Sequence, residues 1–299
     1  MSVLFLNYAC TMQEPMSVDK KLSTRFTFTQ KLLLMGGLVL ILAFSAWRFS
    51  LFDADRIAVR VEFRIDNQAQ VPGFEIEDLR FYVHKLELHG SNGQVFPIQL
   101  KTTRASKDIA LVDLSRESAM VIHGWVPRVV QSANIHSLGF RLGVPFASNH
   151  ANPLKAQEPL NESGMFWVWQ QGYKFFKLDF LAESGQDISY HMGSAGCESA
   201  SALRPPSLAC NYPNRAQIVL AVTDIQAPVI QVNPWPVLEA MQKRKVQLCS
   251  ATANISIACS KAMKLFGINP LTGLCDEACS GQEVFSLNSR ISARVASDV

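Results

Sequence analysis

The sequence predicts a mainly β protein, an antiparallel β-sandwich followed by a short helical C-terminal region that carries disulfides. Three observations predict it. Apolar and polar residues alternate with a period of two in many short segments, polar turns separate these segments, and helical patterns occur only late in the chain. Such alternation leaves one apolar face on each sheet, and two sheets bury these faces against each other.

The strands are predicted from the segments in which this alternation is clearest. Turn signals such as Pro72-Gly73 and the run Gly90–Gly93 separate them. The predicted strands are 57–65, 79–88, 95–100, 109–114, 174–181 and 217–222. Two helices are predicted near the C-terminus. The first, 236–246, has a proline in its first turn, and the second, 260–268, has Ser260 as its N-cap.

The N-terminal part of the chain contains an apolar run. Residues 32–47 carry no charge, span about 16 residues and lie between Lys31 and Arg48. A spanning helix usually needs roughly 17–25 residues, so the run fits either an export signal or a signal anchor. Basic residues before the run place the N-terminal segment in the cytoplasm and the rest outside it. We therefore expect a periplasmic protein, anchored in the inner membrane if the run is retained.

These patterns divide the chain into four predicted parts. They are a cytoplasmic segment (1–31), a signal peptide or signal anchor (32–49), a β-sandwich domain (55–230) and a C-terminal extension with helices and disulfides (231–299).

The charge balance excludes one class of partner. The formal net charge of +3 comes from the first 49 residues, which hold five basic and two acidic side chains. The remainder is formally neutral, whereas a nucleic-acid-binding protein needs a basic face. We expect no nucleic-acid partner.

The cysteines agree with export. Beyond Cys10 there are six, an even number, which an oxidising compartment would pair. Spacing alone leaves the connectivity open, and local pairing is the simplest hypothesis: Cys197–Cys210, Cys249–Cys259 and Cys275–Cys279. The alternative, a zinc or iron–sulfur site, lacks paired C-x-x-C motifs.

Two histidines and two tryptophans are the candidate site residues. His150 follows Asn149 shortly after a strand-like segment, GVPF (143–146), within a loop rich in proline and asparagine, and His191 lies in the strand-like ISYHMG. Imidazole is a common metal ligand, so both histidines are candidate ligands. Trp167 and Trp169 are two residues apart, so a strand would place both indoles on one face. The alternative for all four is a packing role.

Four common catalytic or cofactor-binding motifs are absent from the sequence. The sequence lacks G-x-S-x-G, H-E-x-x-H, a phosphate-binding glycine loop and the haem-attachment motif C-x-x-C-H. We therefore expect a protein that is not an enzyme.

A combination of motifs resembles the MbnP-like copper-binding proteins, also described as the four-Cys partner of a metallo-mystery pair. The resemblance covers roughly residues 57–268. The motifs are FYVHKLEL (81–88), LVDL (111–114), FRLGVPFASNH (140–150), MFWVWQQGYKF (165–175), YHMGSAGC (190–197), C-x-x-PNR (210–215), and Cys249 with Cys259. The Cys275–Cys279 pair lies outside this pattern.

The resemblance implies a function and a partner. It implies an exported β-sandwich that binds one copper ion through histidines, His150 and His191 here, and a tryptophan oxidised to kynurenine, Trp167 or Trp169. It further implies a MauG-like di-haem c-type peroxidase that carries out the oxidation, and a role in copper acquisition or storage. The alternative is a structural or adhesion-type exported β-sandwich without a metal site.

Overall fold

The computed structural model describes residues 55–101, 108–222, 225–250, 256–275 and 279–287. Cys10 and the predicted apolar run at 32–47 lie outside these residues. Within the described ranges, no helix is both long and apolar enough to cross a membrane.

The described chain is built mainly of strands. Thirteen strands are assigned: β1 (Arg56–Ile65), β2 (Phe74–Gly90), β3 (Val95–Pro97), β4 (Gln99–Leu100), β5 (Ile109–Asp113), β6 (Ala119–Pro127), β7 (Ile135–Leu142), β8 (Lys174–Ala182), β9 (Asp187–Gly193), β10 (Gln217–Ala221), β11 (Val229–Val232), β12 (Leu248–Ser250) and β13 (Phe285–Leu287). Three α-helices accompany them: α1 (Phe146–Asn149), α2 (Trp235–Gln242) and α3 (Ile257–Lys264).

The strands form two sheets. The smaller sheet has the order β13-β11-β1-β6-β4, and the larger has the order β10-β7-β2-β8-β9-β12, with β3 and β5 also paired to β2. Most pairs are antiparallel, but β1 with β11 and β9 with β12 are parallel. The predicted mainly β sandwich is confirmed, and the two parallel pairs are additions that local pattern did not predict.

Aromatic rings join the two sheets across the core. Phe63 of the smaller sheet makes edge-to-face contacts with Phe81 and Phe140 of the larger one, each with ring centroids 5.6 Å apart. Phe285 of β13 lies 5.3 Å from Phe140. The C-terminal residues that were predicted as an extension therefore contribute to the same core as the sandwich.

A second, smaller apolar cluster covers part of the outer face of the larger sheet. On β2, Leu79, Phe81 and Val83 point into the main core, so Tyr82 and His84 point outward. The outward cluster is formed by Tyr82, Ile109, Val144, Met165, Tyr173 and Phe175. The tyrosine hydroxyls bind the covering loop, since Tyr82 donates to Pro159 O (3.1 Å) and Tyr173 to Leu160 O (2.7 Å). This covered face holds the candidate site.

The predicted elements match the structure in most positions. All six predicted strands are present, the segment 95–100 being divided into β3 and β4. Both predicted helices are present with shifted ends. The cap of α3 is Ser256, whose side chain accepts from Cys259 N, and Ser260 lies inside the helix.

The three local disulfides are confirmed. They join Cys197 to Cys210, Cys249 to Cys259 and Cys275 to Cys279. Each closes a short loop, so each mainly restricts the unfolded chain locally.

Candidate metal centre

His150 comes directly after the short helix α1. This helix begins after Pro145, so no strand leads into His150. Asn149 N–H donates to Pro145 O (2.8 Å) and His150 N–H to Phe146 O (3.1 Å), so the chain turns helically after the proline. The expectation that GVPF is strand-like is therefore wrong: β7 ends at Leu142. The helical turn buries His150, which is 6% exposed, and places its ring centre 4.7 Å from that of Phe146, with the two ring planes tilted by 55°.

His150 and Trp169 are joined by two reciprocal hydrogen bonds. The indole Nε1–H of Trp169 donates to the backbone carbonyl of His150 at 2.8 Å. The imidazole Nδ1–H of His150 in turn donates to the backbone carbonyl of Trp169, at 3.3 Å. A proton on Nδ1 leaves the lone pair on Nε2, which accepts a hydrogen bond from Asn149 Nδ2 (3.0 Å) and would bind a metal ion in place of it.

Asn149 fixes the turn that carries Trp169. Its fully buried amide accepts from Tyr173 N–H (2.8 Å) and donates to Gln171 O (3.2 Å). The amide nitrogen also lies 3.0 Å from His150 Nε2. Gly172 has a φ of 79°, and a Cβ there would lie 2.4 Å from Asn149 Nδ2. Only glycine therefore allows the turn to close over this amide.

The Cys197–Cys210 disulfide lies beside the imidazole. The Cys210 sulfur is 3.5 Å from His150 Nε2. His150, Cys197 and Cys210 form a group whose ligand-type atoms lie within 4.8 Å of one another. The two sulfurs are bonded to each other at 2.07 Å, so neither is the thiolate that binds metals well. Of the three ligand-type atoms in this group, His150 Nε2 is therefore the one that can act as a metal ligand.

The electrostatic surroundings keep His150 neutral. Burial lowers its pKa, the hydrogen bond to the Trp169 carbonyl opposes this, and the positive charge of Arg215 lowers it further. A neutral imidazole is the form that binds metal ions.

The two tryptophans do not share a strand face. Residues 167–172 form a turn between Phe166 and Tyr173, which are joined by an isolated β-bridge. Trp169 contacts His150, whereas the Trp167 ring packs over Gly193 of β9, where a Cβ would lie 2.6 Å from the ring. The predicted shared face is therefore wrong, and the two indoles have different neighbours.

His191 lies on the outer face of β9 in a separate polar group. Its Nε2 is 2.7 Å from Asp179 Oδ1, and Asp179 also pairs with Lys177 at 3.0 Å. Burial opposes the ionisation of Asp179, but hydrogen bonds from His191 and Ser189 outweigh it and lower its pKa. Among the contacts described for His191, none reaches His150. The structure thus brings His150 and Trp169 together and places Trp167 and His191 along β9.

Two methionines of this region, soft thioethers that could in principle bind copper, are core residues. Met165 belongs to the outer cluster and Met192 to the main core, and both are buried.

Two further residues of this face were not predicted as site residues. His84 is 3% exposed and its Nδ1–H donates to Gly143 O at 2.8 Å. Arg215 lies with its guanidinium 4.9 Å from the centre of the Phe175 ring. Two sequence signals mark them: His84 continues the outward alternation of β2, and Arg215 ends the C-x-x-PNR motif.

The comparisons with known proteins agree on one family. The MbnP family profile matches residues 53–248, which include His150, both tryptophans and the Cys197–Cys210 disulfide. The chain belongs to the MbnP family. Its fold is similar to that of MbnP from Methylosinus trichosporium, with a TM-score of 0.62 and 20% identity, over 78% of this chain and 98% of that one. No match was found among the curated proteins.

The family match ends before several elements of the described structure. Residues beyond 248 add α3, β13 and two disulfides, Cys249–Cys259 and Cys275–Cys279. β13 pairs with β11 and extends the smaller sheet, so residues beyond the profile match belong to the same sandwich.

Proposed function

We propose that this protein is an exported copper-binding protein that holds Cu(I) at His150, together with an amine formed by oxidation of Trp169. The observation that carries the proposal is the reciprocal pair of hydrogen bonds between these two residues. Membership of the MbnP family supports copper as the metal.

The donor set suits Cu(I). Neutral nitrogen donors in low coordination favour this ion, and His150 supplies a buried, neutral imidazole with its lone pair on Nε2. An intact indole offers only an N–H donor and is a poor ligand. Oxidation of Trp169 to kynurenine would place an aromatic amine beside the same imidazole.

The oxidation needs a partner enzyme, and we propose a di-haem c-type peroxidase of the MauG kind. Cleavage of the indole C2–C3 bond inserts two oxygen atoms, which two equivalents of peroxide supply with release of water. Hydrolysis of the resulting N-formyl group consumes one water, releases formate and leaves the amine. Trp169 is partly exposed in a turn, which gives such a partner access.

His191 stands outside the site that we propose. Asp179 holds its Nε2, and Trp167 packs two residues further along β9. The contact with Asp179 accounts for the position of His191 without a metal.

Export and the absence of catalysis complete the proposal. Three disulfides support folding in an oxidising compartment, the periplasm, with an inner-membrane anchor if residues 32–49 are retained. We assign the protein to copper acquisition or storage and not to catalysis.

Metal analysis of purified protein tests the proposal. We expect one copper per chain when the protein is produced with its peroxidase partner, and loss of that copper in His150→Ala. His136→Ala is the matched control, because His136 is exposed on β7 and should leave copper binding unchanged. Equal copper in His150→Ala and the wild type contradicts the site. No copper in any preparation favours the alternative of a structural β-sandwich.

A further inference from the structure

The Cys197–Cys210 disulfide lies against the imidazole of the candidate metal centre. Cys210 Sγ is 3.5 Å from His150 Nε2, and the ligand-type atoms of all three residues lie within 4.8 Å of one another. Each residue is buried, with 6% or 7% of its surface exposed. The two sulfurs are poor ligands in this state because they are bonded to each other.

The chain holds the two cysteines together independently of the disulfide. Beside the sulfurs, Ala195 and Tyr212 exchange two backbone hydrogen bonds (2.9 and 3.0 Å), and Asn211 N–H donates to Gly196 O (3.1 Å). The side chain of Gln170 donates to the backbone carbonyl of Cys197 at 2.9 Å. Opening the disulfide breaks none of these bonds, so we expect the two thiols to remain neighbours.

The spacing of the three side chains suits a tetrahedral ion. Zinc bonds of about 2.3 Å to sulfur and 2.0 Å to nitrogen place these two ligand atoms about 3.5 Å apart. Cys210 Sγ and His150 Nε2 already have this separation. Two thiolates on one ion lie about 3.8 Å apart, which they can reach once their bond is broken, because each sulfur turns about its own Cα–Cβ bond.

The lone pair of His150 Nε2 can be released to such an ion. It is held by Asn149 Nδ2 at 3.0 Å. The same amide nitrogen also donates to Gln171 O (3.2 Å), so it keeps a partner when the ion takes its place.

We propose that Cys197, Cys210 and His150 bind one d¹⁰ cation, Zn²⁺ or Cu⁺, when the two cysteines are in the dithiol state. Thiolate and imidazole ligands suit both ions. A dithiol reductant donates two electrons and two protons to the disulfide and becomes a disulfide itself. Binding of the ion then releases both thiol protons. The site shares His150 with the proposed copper site but does not rest on oxidation of Trp169.

Cobalt titration of the reduced protein tests this proposal. All preparations carry Cys10→Ser, which removes the seventh thiol. One is kept oxidised, and the other is reduced with a phosphine that anaerobic gel filtration then removes. Co²⁺ is the probe, because thiolate ligands give it a sulfur-to-cobalt charge-transfer band. We expect one Co²⁺ per chain with this band in the reduced protein and no band in the oxidised protein. Zn²⁺ should displace the cobalt.

Matched cysteine pairs locate the site. In the reduced protein, Cys197→Ser/Cys210→Ser should abolish the charge-transfer band, whereas Cys275→Ser/Cys279→Ser should retain it. His150→Ala should weaken binding by about tenfold or more, since one of three protein ligands is lost. Absence of the band in the folded reduced protein overturns the proposal. An unchanged band in Cys197→Ser/Cys210→Ser also overturns it.

Near-ultraviolet circular dichroism shows whether the reduced protein is folded. If it is not, Cys197→Ser supplies the test without reduction, because it leaves Cys210 as a free thiol beside His150 while the other two disulfides remain. Produced without the peroxidase partner, this variant should bind Cu⁺ about tenfold or more tightly than Cys197→Ser/His150→Ala, in competition with a coloured chelator. Equal affinities overturn the proposal. Copper binding by the oxidised wild type is measured separately, so the proposed function can stand when this inference fails.

Discussion

The indole Nε1 of Trp169 and the backbone carbonyl of His150 are joined by a hydrogen bond of 2.8 Å, and the imidazole of His150 bonds back to the carbonyl of Trp169. Each side chain therefore fixes the other residue's backbone. Neither ring can rotate without breaking a bond on its partner's peptide. A chemical change at Trp169 should therefore alter the position of His150 directly.

Trp169 is the expected site of oxidation. In protein co-expressed with a di-haem peroxidase, kynurenine formation should raise the intact mass by about 4 Da, since the residue gains one oxygen and loses one carbon. We expect this mass increase in Trp167→Phe, which keeps Trp169, but not in Trp169→Phe. The reason is that Trp169 is the indole that contacts His150. Peptide mass spectrometry locates the change, and a modified Trp167 in the wild type would contradict the assignment.

Asn149→Ala should weaken both the fold and the metal site. The replacement leaves Tyr173 N–H and Gln171 O without their buried partner, so the free energy of unfolding should fall by about 2–3 kcal/mol. Copper affinity should fall by about 10–100-fold, since the turn bearing Trp169 loses its support. Urea denaturation and metal titration measure these effects. Asn134→Ala, at an exposed position, should cost less than about 0.5 kcal/mol.

Gly172→Ala should destabilise the protein more than Gly185→Ala. Both glycines have nearly the same positive φ, 79° and 78°, so the backbone cost of about 1–2 kcal/mol is shared. A Cβ at 185 meets open space, whereas a Cβ at 172 would overlap the Asn149 amide. The difference in unfolding free energy between the two variants isolates that overlap. Equal destabilisation would mean that the amide moves away freely.

His84 should make stability depend on pH. Burial lowers its pKa from 6.5 to about 4, so below pH 6.5 the unfolded chain takes up a proton that the folded chain does not. The free energy of unfolding therefore does not depend on His84 above pH 6.5. As the pH falls toward 4, protonation of His84 in the unfolded chain lowers this free energy by roughly 3 kcal/mol in all.

Chemical denaturation across this pH range tests the dependence. His84→Asn keeps an N–H for Gly143 O but cannot titrate, so its stability should vary less between pH 6.5 and 4. His123→Asn, at an exposed position, should retain the wild-type pH profile. A wild-type profile in His84→Asn would show that other groups cause the loss.

Several strands were predicted because a buried side of the strand alternates with a more polar side. β1 and β8 alternate because one side of each lies on the main core. β7 was not predicted, because residues 137–140 are all buried, with the His89 ring of β2 against Ser137 and Gly139, and show no alternation. β6 was also missed, since Gly124 interrupts its pattern. That glycine is required by packing, as a Cβ there would lie 2.5 Å from Ile98.

The candidate site was predicted in part for a similar reason. Motifs singled out His150 and Trp169, and their contact follows from a helical turn after Pro145 and a glycine turn at 172. Neither turn can be inferred from period-two spacing, so the two tryptophans were assigned to one strand. The separation of His191 depends on Asp179, a partner twelve residues away that only the pairing of β8 with β9 reveals.

The parallel pairing of β1 with β11 governs when this chain can fold. β1 lies between β6 and β11 in the smaller sheet. β11 follows β1 by more than 160 residues in the sequence. A nascent chain thus has no complete sheet to form until nearly all of it has been synthesised. Contacts this distant in sequence form slowly. Export of the unfolded chain, which our proposed function requires, is compatible with this late completion of the smaller sheet.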